Sequence, residues 1–146
     1  MKGNEVVKMD LEQYFNGIWK LEREIEIMNQ EKREYMELAT KMTSSVGDER
    51  VQTSSGGDKT GTIAVKIADK SMEIVAAIHR LAQYKESVSN YIKLLNNMEY
   101  RKILTMRYVR SMNTQDIADE LGCSTRTINR KKRDALGELK KMVRNV

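Results

Sequence analysis

The sequence has no proline, one cysteine, one histidine, one tryptophan and one phenylalanine among its 146 residues. A single cysteine excludes an internal disulfide, and with a single histidine it cannot build a zinc cage. The scarcity of aromatics and the 32% of charged residues are wrong for a β-sandwich or a large α/β enzyme and fit half-exposed helices. No run approaches 18 apolar residues, and the opening MKGNEVVKMD lacks the apolar stretch of a signal peptide. The expectation is therefore an all-α cytoplasmic protein with no membrane partner.

Charge is unevenly distributed. Residues 1–50 carry 8 Lys+Arg against 11 Asp+Glu, residues 51–97 carry 6 against 4, and residues 98–146 carry 12 against 6. An acidic front and a basic tail imply two tasks, and the tail is the part suited to a polyanion.

Residues 10–43 read as one long helix. Asp10 and Gln13 have capping-box spacing, and Met9 and Tyr14 that of a hydrophobic staple. A three–four repeat follows: Leu11, Tyr14, Ile18, Leu21, Ile25, Met28, Lys32, Tyr35, Ala39, Met42. This is a coiled-coil seam with one discordant lysine. Phe15 and Trp19 flank it. Residues 44–62, with four glycines and few apolar side chains, read as a flexible loop. A second helical run over 63–96 carries Ile67, Ile74, Ile78, Leu81, Val88, Ile92 and Leu95, broadened by Val75, Tyr84 and Tyr91 and interrupted at Lys85. Neither stripe can be buried alone, so residues 1–97 are expected to form a helical hairpin, closed within one chain or shared in a homo-oligomer. The glutamates 22, 24, 26, 31, 34 and 37 are a candidate contact surface, or simply the solvated exterior of such a helix.

Asn96 and Asn97 punctuate the chain before a denser region, 98–146, read as four helices: 98–110, 114–121, 125–136 and a continuation to 143 beyond Gly137. Within it, TQDIADELGCSTRTINRKK at 114–132 has the spacing of a helix-turn-helix. Asn113 caps a helix whose inner face is Ile117, Ala118 and Leu121. Gly122 meets a demand for positive φ, Cys123 is a small filler, Ser124 caps the next helix, and Ile128 plugs into the core. With Ile128 inward, Thr125, Arg126, Asn129, Arg130 and Arg133 face outward, where arginine can read guanine and asparagine adenine in a major groove. Gln115, Ser124, Thr127, Lys131 and Lys132 are placed for phosphates.

The segment from Tyr100 onward resembles region 4 of sigma factors. The shared parts are Arg101, Ile103, Leu104, Arg107 and Tyr108, then Asp116–Ser124, then Arg126–Ile128 with Arg130. It is most similar to the sigma-region-4-like regulators of phages and prophages, the ArpU/RinA type, over about a third of the chain. Lysines at 131 and 132 depart from an apolar preference there, and Ala135, Leu136 and Leu139 are expected to supply the missing contact. The resemblance implies a sequence-specific transcriptional regulator that binds double-stranded DNA and also touches RNA polymerase. Two other readings stand beside it: a phage small terminase subunit recognising DNA for packaging, and a sigma-like adaptor docking on RNA polymerase.

Asp58–Thr62 spells DKTGT, the phosphorylated motif of P-type ion pumps, but it follows SSGG rather than a strand and reads as a chance match. His79 has no second ligand nearby, and the ten methionines scatter through the helices as packing. No catalytic residue, cofactor or metal is expected.

Overall fold

The computed structural model describes residues 10–46 and 54–144, with side chains over 10–44 and 59–144. Five helices and no strand occur among the described residues: α1 Leu11–Val46, α2 Ser54–Ile92, α3 Met98–Leu104, α4 Thr114–Leu121 and α5 Thr125–Arg144. The staple residue Met9 lies outside the described residues.

Two boundaries differ from expectation. Of the loop read at 44–62, residues 44–46 belong to α1 and residues 54–62 to α2, and 47–53 lie outside the described residues. Gly56, Gly57 and Gly61 therefore lie inside a helix, as does the DKTGT segment. The break expected at Gly137 is also absent, and α5 is one 20-residue helix. A glycine in a helix costs about 1 kcal/mol relative to alanine. Burial of Ala135, Leu136 and Leu139 on either side of Gly137 outweighs that.

The chain falls into two compact units, and they do not divide at 97/98. Among the described residues, one joins those up to Leu21 with those from Leu81 onward, and the other lies within Glu22–Arg80. In the first unit a core gathers Leu11, Phe15 and Ile18 of α1, Val88 and Ile92 of α2, Leu104 and Tyr108, and Ala135, Leu136 and Leu139 of α5. Here α1 and α2 meet at Tyr14, whose hydroxyl lies 2.6 Å from Ser87 Oγ and whose carbonyl accepts from Tyr84 Oη at 2.6 Å. The Tyr14 and Tyr84 rings stack with centroids 5.0 Å apart. A Cβ on Gly17 would overlap Tyr84 Oη and stand 2.6 Å from its Cζ. Gly17→Ala is therefore expected to lower stability by about 1–3 kcal/mol in urea denaturation, although alanine is the better helix former.

In the second unit, Glu31 pairs with Lys70 at 2.7 Å, and Lys66 lies over the Tyr35 ring at 5.7 Å. Four residues forward on α1 match four residues back on α2, so the helices are antiparallel. Glu73 also pairs with Lys70 at 3.1 Å. The hydrogen bonds that the Lys70 ammonium donates to these two carboxylates push its pKa up to about 12.

The α1 seam matches expectation at every position from Leu11 to Met42, with Lys32 half-buried in it. The α2 seam does not. It runs through Ile63, Ile67, Lys70, Ile74, Ala77, Leu81, Tyr84 and Val88, whereas Ile78 and Val75 are exposed. An unbroken three–four spacing selects Ala77 over the larger Ile78, because register rather than side-chain size decides which residue meets the partner helix.

Candidate nucleic-acid interface

The basic tail is held by two cores. Ile103 and Met106 join Ile117, Ala118 and Ile128 in a second cluster, with Met112, Leu121 and Cys123 against it. Leu104 and Tyr108 enter the first. A π-helical turn over Thr105–Val109 separates α3 from the chain leading to α4. The residues behind the sigma-like resemblance here all have packing roles. Arg101 Nε donates to the carbonyl of Leu95, three residues beyond α2. Arg107 lies over the Trp19 ring at 4.2 Å and donates to the Met112 carbonyl at 2.9 Å. Tyr108 is fully buried, stacked on Trp19 at 5.5 Å.

The α4–α5 pair follows from its caps. Asn113 Oδ1 accepts from Asp116 N at 2.8 Å and opens α4. Gly122 ends it in the left-handed region (φ 67°), and the Cys123 amide donates to the Ala118 carbonyl at 3.0 Å. Ser124 Oγ accepts from Thr127 N at 3.2 Å and opens α5. Three residues thus turn the chain between two helices whose contact is made by Ile117, Ala118 and Ile128, all buried.

That inward anchor fixes what points out. Arg126, Asn129, Arg130 and Arg133 are exposed, Thr125 and Thr127 are half-buried, and these six together line one open depression at the N-terminal half of α5. All five residues expected to face bases are among them. The residues expected to meet phosphate are less uniform. Ser124 and Thr127 share a side-chain hydrogen bond of 2.9 Å. Gln115 donates its amide to Asp119 Oδ1 at 2.9 Å. Lys131 is paired with Glu99, and Lys132 lies 3.8 Å from Glu12.

Those carboxylates were not singled out from the sequence. Glu12 on α1 and Glu99 on α3 are far from the lysines along the chain, so no local spacing signals the pairs. Asp10 joins them through Lys140 at 2.9 Å, and the hydrogen bond from that ammonium holds the Asp10 carboxyl below its usual range. The arrangement sorts the basic residues between Arg126 and Lys140 into a free outer group, Arg126, Arg130 and Arg133, and a group, Lys131, Lys132 and Lys140, turned toward carboxylates of the same unit.

Among the described residues there is no group of three or more His, Cys, Asp or Glu able to hold a metal, and no helix long and apolar enough to cross a membrane. No curated protein and no solved structure matches this chain. Residues 41–140 match the family described as protein of unknown function DUF1492, and the chain belongs to that family.

Proposed function

We propose that α4 and α5 form a helix-turn-helix that binds double-stranded DNA, and that the protein is a sequence-specific transcriptional regulator of the phage or prophage type. The observation that carries this reading is the joint exposure of Arg126, Asn129, Arg130 and Arg133 on the first turns of α5, opposite buried Ile128. A helix entering the major groove presents its N-terminal residues to base edges. Arginine is matched to guanine O6 and N7, and asparagine to adenine N6 and N7. Thr125 borders the same surface and is suited to either base or backbone. The N-terminus of α4, with Gln115 in its first turn, is suited to phosphate through first-turn backbone N–H groups other than that of Asp116, which Asn113 caps. Binding to phosphate through the Gln115 side chain itself requires release of its bond to Asp119.

The test is selection of bound fragments from the source genome by the purified full chain at near-physiological salt. Enrichment of one short motif upstream of an operon is the expected result. Enrichment beside packaging genes would instead favour the small terminase reading. Uniform recovery without any motif would overturn specific recognition by this chain alone and favour the adaptor that needs RNA polymerase.

A further inference from the structure

The second unit has an apolar face that its own pairing does not use. On α2, Val65, Met72, Val75 and Ile78 are 59%, 72%, 67% and 50% exposed. Val65, Ala68, Met72 and Val75 alternate in steps of three and four residues, and His79 ends the row. At about 100° per residue this row lies opposite the seam facing α1. A helix apolar on two opposite faces, each with coiled-coil spacing, has a place for two partner helices.

We propose that this outer face of α2 pairs with the same face of a second copy of the chain, the two α2 helices running antiparallel. Charge selects this occupant. Between residues 64 and 80, Lys70 lies on the inner seam, and the remaining Lys, Arg, Asp and Glu side chains (Lys66, Asp69, Glu73 and Arg80) fall along one edge of the outer row. The other edge carries Ala64, Ser71 and Ile78 and is uncharged. An acidic or basic partner would find nothing to match there, whereas a second copy presents the same uncharged edge in return. The register that sets Met72 against Val75 of the second copy brings Asp69 of each copy alongside Arg80 of the other, while the two Glu73 side chains, which meet near the two-fold axis, are each paired with Lys70 of their own chain. Ala68 and Ala76 allow the backbones to approach closely.

The area is sufficient. The four large side chains leave on the order of 400–500 Å² uncovered on each copy, at the upper end of what a monomer exposes in one patch. Mutual burial with the intervening alanines reaches the roughly 1,000 Å² expected of a specific interface. The inference stands apart from DNA binding, since α5 takes no part in it.

Sedimentation equilibrium of the full chain tests it, with circular dichroism as the control for folding. The wild type is expected to be a dimer at micromolar concentration. The double substitution Met72→Glu with Val75→Glu should weaken dimerisation at least about 100-fold, because it places charge in an apolar seam without partners. Helix content should be unchanged, as both side chains are exposed in one copy. Asp69→Arg alone should weaken the dimer, and Asp69→Arg combined with Arg80→Asp should restore it. A monomeric wild type, or a dimer indifferent to the double glutamate substitution, would overturn the proposal. Failure of the charge swap to restore dimerisation would overturn the antiparallel register.

Discussion

Replacing Arg126 and Arg130 together by glutamate is expected to reduce affinity for duplex DNA by more than about 100-fold, while leaving helix content and melting temperature unchanged. Each well-made arginine–base contact is worth about 1–3 kcal/mol of discrimination, and reversal also introduces repulsion from the backbone. Both side chains are exposed and belong to neither core cluster, so the loss should be one of binding only. Gel-shift titrations on the selected fragment and on an unrelated duplex separate the contributions. Preference for the selected fragment should disappear in the variant, and residual binding should be sensitive to salt.

The lysines that follow provide the contrast. Lys131→Gln and Lys132→Gln should each cost much less than the arginine reversal, because Glu99 and Glu12 already neutralise these ammonium groups in the free protein. A phosphate contact from either must first separate an ion pair, so part of its gain is lost. If the two lysine variants lost as much affinity as the arginine reversal, the assignment of Arg126 and Arg130 to the recognition surface would fail. Indifference of DNA affinity to the arginine reversal would remove α5 from the interface altogether.

Local rules made the α4–α5 pair readable. Asn113, Gly122, Ser124 and Ile128 each satisfy a requirement set within a few residues: a cap, a positive φ, a second cap and an inward anchor. The α1 seam was legible for a similar reason, since ten positions repeat without a break. On α2 both faces are apolar, so hydrophobicity alone could not choose between Ala77 and Ile78. The helix start at Ser54 was hidden by glycine and serine, whose low propensity is a weak prior against extension of a long helix. The compact units could not be read at all. They depend on Phe15 and Ile18 sharing a core with Leu136 and Leu139, and a periodic stripe records that a residue is buried but not against what.

Tyr108 is where that unreadable core is most sensitive. It is fully buried, stacked on Trp19 and set edge-on to Phe15 at 5.3 Å. Tyr108→Ala is expected to cost about 3–5 kcal/mol, because α1, α3 and α5 meet there and their helices cannot collapse into the space. In thermal melts this corresponds to a fall of about 10 °C or more. Tyr108→Phe should cost less than about 1 kcal/mol, since the hydroxyl reaches Glu12 Oε1 only at 3.4 Å.

The pair also differs in alkali. Burial, and then the neighbouring Glu12 carboxylate, push the Tyr108 phenol well above the usual tyrosine value of 10.0. The folded chain thus holds this proton more tightly than the unfolded chain does. Its contribution is complete below the ordinary tyrosine range and is lost as pH rises above it. Urea denaturation of the wild type should therefore show stability falling above about pH 10, and Tyr108→Phe should flatten that fall. Tyr84 and Tyr91, also raised by burial, leave a smaller residual slope. An alkaline slope identical in wild type and Tyr108→Phe would mean that the phenol reaches water, and that the core joining the two ends of the chain is looser than its packing implies.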